Sequence, residues 1–271
     1  MATESEIAGL LDGLTLIASR AAAAILAVPR LDLNQRNKAD SSPVTAADDA
    51  AETVILAGLA RLLPGIPVVS EESTGNRAVE RLGARFVIVD PLDGTREFLA
   101  DLDEFTVNIA VIENETPVAG VVAAPARGLI WRGYASHGAE RLALTPGSAP
   151  NAARDRVAIR TRARPASGAR VLISRSHLDA ATDAYVDRLP DAERIPCGSA
   201  LKFCLVAEGS ADLYPRLGPT SEWDVAAGHA VLVAAGGDLR RPDGSVLRYG
   251  QGDFRIPGFV ATGDARPPIQ V

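Results

Sequence analysis

The hexapeptide Asp90-Pro91-Leu92-Asp93-Gly94-Thr95 carries the strongest chemical signal in the chain. It follows the apolar run from Arg85 to Val89 and precedes Arg96-Glu97-Phe98-Leu99, so a strand end is expected to turn here into a short helix. Two carboxylates flanking a rigid proline can point into one small volume, where their repulsion is costly unless a divalent cation neutralises them. An oxygen-only ligand set favours Mg²⁺ over zinc. Gly94 permits close backbone approach, and Thr95 with the N–H groups of the helix start could hold a phosphate oxygen. Taken alone, the hexapeptide also suits a plain Asp-Gly turn.

Other polar groups sit where elements begin or end. Glu71 and Glu72 close the β-type run Pro67 to Ser70, and open sheets bind ligands at strand ends. Glu72 is open to several readings: general acid, outer-shell group or solvated charge. Thr45-Ala46-Ala47-Asp48 has the spacing of a capping box, which by itself would account for Asp48. Lys38 and Lys202 are the two lysines among 28 basic residues, which marks them as candidates for positions needing a compact ammonium.

The elements that must position these groups follow from periodicity. Ile7, Leu10, Leu11, Leu14, Ala18, Ala21 and Ile25 form one stripe of a helix over 4–28 stopped by Pro29. Residues 32–43 read as an exposed loop or weak hairpin, and a second helix runs from Thr45 to about Leu63. Residues 106–112, 117–123 and 129–134 form an antiparallel meander. The Pro- and Gly-containing stretch 146–168 reads as a linker, with a boundary near 155. Beyond it, strands at 171–173 and 211–214 alternate with helices at 180–189, 199–208 and 223–235. The expected class is therefore α/β, with an α+β half over 1–155 and an α/β half over 156–271.

Composition narrows the partners. A formal charge of −6 argues against a nucleic acid polymer or an anionic membrane as the main partner, while leaving small anionic substrates open to a local cationic site. Two cysteines, Cys197 and Cys204, make no disulfide framework and read as reduced thiols of a cytoplasmic protein. Glu4 and Glu6 replace the basic start of a signal peptide, and no uninterrupted run reaches the roughly 18 apolar residues of a membrane span.

The hexapeptide resembles the signature of the lithium-sensitive, Mg²⁺-dependent phosphomonoesterases that include inositol monophosphatase and relatives of fructose-1,6-bisphosphatase. Trp223-Asp224-Val225-Ala226-Ala227-Gly228 is similar to that family's C-terminal block, and Val69-Ser70-Glu71-Glu72 lies upstream in the right order. Within this superfamily the chain looks like the bacterial 3′(2′),5′-bisphosphate nucleotidase branch over nearly its whole length. The stretches 42–48, 104–110, Ser174-Arg175-Ser176-His177, 201–209, 213–216 and Gly218-Pro219-Thr220 carry this likeness.

The resemblance implies a layered αβαβα fold and hydrolysis of a small nucleotide substrate, adenosine 3′,5′-bisphosphate, with two or three Mg²⁺ ions per site. Glu71, Asp90, the Leu92 carbonyl, Asp93 and Asp224 would hold metal, and Asp48 with Thr95 would form a dyad that orients the attacking water, with Glu71 beside them. Substrate contacts would fall to Glu71, Asp93, Gly94, Thr95, Ser174, His177, Gly198, Ser199, Lys202, Arg216 and Asp224. Lys38 and Asp40 would lie on a movable flap, and peripheral membrane association is a further family property. Inositol phosphate or fructose bisphosphate hydrolysis, and an idle binding protein on the same fold, are the alternatives. Three departures stand out: Arg96 for a common lysine, Ala200 for serine and Glu222 for asparagine, the last two expected near a nucleoside pocket. The segment 146–164 does not match, and oligomeric state is open.

Overall fold

The computed structural model describes residues 3–29, 33, 35–37, 43–74 and 82–264. The chain runs through α1 (Glu4–Ala27), β1 (Arg36–Asn37), β2 (Pro43–Val44), α2 (Ala46–Leu62), β3 (Val68–Ser70), α3 (Glu71–Thr74), β4 (Arg85–Asp93), α4 (Thr95–Leu99), β5 (Thr106–Glu113), β6 (Thr116–Ala124), β7 (Leu129–Tyr134), β8 (Gly138–Ala143) and β9 (Asp155–Ile159). It continues through β10 (Arg170–Ser174), α5 (Ala180–Asp187), β11 (Glu193–Cys197), α6 (Leu201–Ala207), β12 (Leu213–Arg216), β13 (Thr220–Ser221), α7 (Glu222–Ala234), β14 (Asp238–Arg240), β15 (Arg255–Ile256) and β16 (Phe259–Thr262).

Two sheets organise these elements. The first has the order β3-β4-β5-β6-β7-β8-β9, a meander with one parallel pair, β3 beside β4. The second has the order β11-β10-β12-β16-β14. Side-chain alternation decides what covers each face. Val87, Val89, Val107, Ile109 and Val111 point toward α1 and α2. Phe86, Ile88, Ala110 and Ile112 point the other way, into a core shared with α6, α7 and the inner face of the second sheet. Val171, Ile173, Leu213 and Val260 cover the outer face of that sheet against Tyr185 and Val186 of α5. Five layers result, α1/α2, sheet, α6/α7, sheet, α5, which is the αβαβα arrangement expected. Because the first sheet is covered on both faces, its strands read as apolar runs rather than alternating ones.

Differences from the sequence reading have physical causes. The stretch 146–168 contains β9, paired along its length with β8. This edge strand is exposed at Asp155, Arg156, Val157 and Ala158 and buries only Ile159, so its short apolar run Val157-Ala158-Ile159 is hidden among the surrounding arginines, prolines and glycines. β4 continues through Asp93 instead of ending at Val89. Helix α1 is apolar and long enough on average to pass for a membrane span, yet half of that stretch is buried, as in a core helix. Lys38 and Asp40 lie outside the described residues.

Helix α7 is buried nearly all round, and small residues let it settle closely on the first sheet. A Cβ on Gly120 of β6 would collide with the Ala227 carbonyl and stand 2.8 Å from Ala230 Cβ. Gly120→Ala is therefore expected to cost about 1–3 kcal/mol by overpacking, read as a lower midpoint in thermal or urea unfolding.

Candidate active site

The acidic groups converge because separate elements end at one place. β3 and β4 run parallel with Ser70 opposite Val89, so Glu71 emerges beside Asp90. A spacing of three would put Asp90 and Asp93 on opposite faces of a regular strand. The register shifts between them: Asp90 faces Asn108 while Asp93 faces Thr106, three steps against two. This bulge returns both carboxylates to the α7 side of the sheet. Asp224 arrives from the first turn of α7. One ligand oxygen each from Asp90, Asp93 and Asp224 lies within 4.8 Å of the others.

Each carboxylate has an oxygen committed to protein donors. Asp90 Oδ1 accepts the Leu92 N–H at 3.1 Å. Asp93 Oδ2 accepts the Ala200 N–H at 2.7 Å, Asn108 Nδ2 at 3.3 Å and the Thr106 hydroxyl at 3.4 Å. Asp224 Oδ2 accepts the Ser221 N–H at 3.2 Å and the Thr220 hydroxyl. Burial, then the neighbouring Asp224 charge, pushes Asp93 up to about 7. A hard divalent cation would relieve that repulsion, and an all-oxygen donor set, buried at Asp90 and half-buried at Asp93 and Asp224, fits Mg²⁺.

Gly94 supports the adjoining turn in the left-handed region, at φ 91°, where a Cβ would also collide with Ser199 Oγ. Thr95, the next residue, places its hydroxyl 3.2 Å from Asp48 Oδ1 and 3.3 Å from the Leu92 carbonyl. The other Asp48 oxygen accepts the Thr45 N–H and hydroxyl, both at 2.7 Å, closing the capping box of α2. Asp48 thus caps a helix with one oxygen and holds Thr95 with the other. A cavity of about 210 Å³ is lined by Glu71, Asp90, Leu92, Asp93, Gly94, Thr95 and Asp224 together with Arg96, Ser174, His177, Ser199, Lys202 and Arg216.

A family model described as the inositol monophosphatase family matches residues 10–264. The chain belongs to this family. Among curated proteins it is 47% identical over 228 residues to the 3′(2′),5′-bisphosphate nucleotidase CysQ of Salmonella typhimurium, covering 83% of this chain and 87% of that one. Among solved structures it is similar to CysQ from Bacteroides thetaiotaomicron, with a TM-score of 0.77, 35% identity, and coverage of 94% and 97% of the two chains. The inositol monophosphatase of Anabaena superposes with a TM-score of 0.74 at 26% identity, over 96% and 92% of the chains.

Most residues singled out from sequence lie at this cavity, with instructive exceptions. Asp48 is buried behind Thr95 rather than on the surface of the cavity. Gly198 does not line it either; its N–H donates to Glu104 Oε2 at 2.8 Å. Lys202 is buried, its Nζ donating to the Cys197 and Ser199 carbonyls at 3.1 and 2.7 Å and lying 5.0 Å from the Tyr214 ring centroid. His177 sits at the solvent edge; partial desolvation and the nearby Arg216 and Arg96 charges hold it below its usual value.

The side chains of Ala200 and Glu222, expected near a nucleoside pocket, do not line the cavity. Ala200 packs in the central core, and the Glu222 carboxylate accepts the Gly250 and Gln251 N–H groups at 2.7 and 3.3 Å, burial raising it to about 7. Sequence reasoning assigned no role to Thr106, Asn108, Glu97 or Glu104. Glu97 lines the cavity and accepts the Ser176 hydroxyl at 2.5 Å. Glu104 holds Arg175 at 2.8 and 2.9 Å, and with Gly198 this contact keeps it below the carboxylate range despite burial.

Asp93 titrates near 7 when folded and near 3.8 in its unperturbed state, so folding favours its neutral form. Its contribution to stability is full below the lower value and is lost as pH rises through the upper one. Mg²⁺ is therefore expected to raise the melting temperature strongly at about pH 8 and weakly at about pH 5. Differential scanning calorimetry with EDTA or excess Mg²⁺ checks this; equal shifts at both values would contradict it.

Proposed function

We propose that the chain is a Mg²⁺-dependent phosphomonoesterase that removes the 3′-phosphate of adenosine 3′,5′-bisphosphate, leaving AMP and inorganic phosphate. The observation that carries this reading is one cavity with two chemistries: an acidic cluster suited to cations, and cationic groups suited to a second phosphate. The similarity to CysQ proteins across most of the chain supports the substrate.

Asp90, Asp93 and Asp224 would hold the cations, with Glu71 and the Leu92 carbonyl beside them. When bound, such cations polarise the phosphoryl oxygens, acidify an attacking water and stabilise the leaving alkoxide. Thr95 donates its proton to Asp48, which leaves the threonine oxygen as an acceptor for that water. The water proton can then pass to Thr95 as the threonine proton passes to Asp48. Arg96 and Arg216 would face the non-reacting phosphate, with Ser174 and neutral His177 as hydrogen-bonding partners. Lys202 adds positive potential while bracing the turn at Ser199. Acidic net charge and two buried thiols support a cytoplasmic setting.

Phosphate release from adenosine 3′,5′-bisphosphate, inositol 1-phosphate and fructose 1,6-bisphosphate tests the reading. The nucleotide should show much the highest kcat/KM, and Asp93→Asn should abolish turnover. Preference for a sugar phosphate would retain the metal chemistry and remove the proposed roles of Arg96, Arg216 and His177. Asp48→Asn should lower kcat by about 10²- to 10⁴-fold while costing only about 1 kcal/mol of stability through a weakened capping box; unchanged turnover would rule out the dyad.

A further inference from the structure

Strand β5 places two neutral polar side chains among apolar neighbours. Thr106 and Asn108 are fully buried, and the antiparallel register sets them opposite Asp93 and Asp90. Both donate to the same atom, Asp93 Oδ2, which also receives the Ala200 N–H. A carboxylate oxygen offers about two lone-pair sites, so three donors leave little of Oδ2 for a cation and turn the ligand role over to Oδ1.

The other end of the Asn108 amide is different. Its Oδ1 is buried and has no hydrogen-bond partner among the described residues. With Asp93 ionised, the state that would hold a cation, reversing the amide offers no remedy, because the carbonyl would then face the carboxylate. A buried acceptor without a donor is uncommon and costly in a folded protein. Here it lies in the strand pair that carries the acidic cluster. Mg²⁺ characteristically keeps several of its waters, whose protons are strong donors.

We propose that Asn108 is a positioning residue for the cation site. Its amide nitrogen selects which Asp93 oxygen is presented, and its amide oxygen accepts a hydrogen bond from the hydration shell of the cation. Thr106 shares the first task and not the second. The inference rests on the reading of the Asp90, Asp93 and Asp224 cluster as a divalent-cation site.

Isothermal titration calorimetry of Mg²⁺ into the full chain, without substrate, measures the effect directly. Asn108→Leu, close in size but without donor or acceptor, should weaken Mg²⁺ binding by about 10- to 100-fold, the usual effect of losing such an outer partner. Thr106→Val should weaken it less, and Thr106→Ser, which keeps the hydroxyl, should restore wild-type affinity. Melting temperatures in EDTA report folding separately, and Asn108→Ala replaces the leucine variant should that one not fold. Wild-type affinity in a folded Asn108 variant overturns the inference alone. Failure of the wild-type chain to bind Mg²⁺ overturns the cation reading and the inference with it.

Discussion

Three carboxylates held within 4.8 Å of one another repel, and the rest of the structure is arranged so that they stay together. The means is uniform. Asp90, Asp93 and Asp224 each give an oxygen to protein N–H or hydroxyl donors, and Asp48 does the same behind them. Those bonds fix the rotamers before any cation arrives, so a cation meets a prepared site rather than ordering one. Burial, and after it the repulsion that remains from Asp224, is expressed in the raised proton affinity of Asp93.

This arrangement depends on both halves of the chain. Asp93 is oriented by Thr106 and Asn108 from the neighbouring strand, but also by the Ala200 N–H from beyond the second sheet's edge. Ser199 donates to the Asp93 and Glu104 carbonyls, and Glu104 in turn grips Arg175 and Gly198. Lys202 braces the same turn from below, through the Cys197 and Ser199 carbonyls. The loops that would contact substrate are thus fastened to the residues that would contact metal, and a ligand bridging the two finds the gap between them already set.

Much of this was legible in the sequence. The helices at 4–27 and 46–62 show through because one buried face imposes a periodic apolar signal, and the meander from Thr106 to Tyr134 because burial on both faces leaves apolar runs cut by polar turns. Asp90, Asp93 and Thr95 show through because charge and glycine interrupt such a run abruptly. What stayed hidden was relational. Neutral Thr106 and Asn108 look like ordinary strand residues until register sets them against the aspartates. Lys202 reads as a cation for substrate, and its carbonyl partners become visible only once the turn at Ser199 is folded. Glu222 reads as a pocket residue from its place beside Trp223, whereas its carboxylate turns to the backbone of a distant loop. Strand β9 has only a weak apolar code because all its side chains but that of Ile159 are exposed to water.

The register shift between Asp90 and Asp93 constrains length more tightly than composition. A strand's faces are a matter of parity, and the bulge converts an odd interval into an even one. Substituting Pro91 or Leu92 would alter local packing, but removing or adding one residue there would exchange inside for outside for everything on one side of the change. Surface turns elsewhere in the chain can grow or shrink without such consequence. Over evolutionary time these four positions should therefore tolerate replacement before they tolerate any insertion or deletion, so their count is the more durable part of the motif.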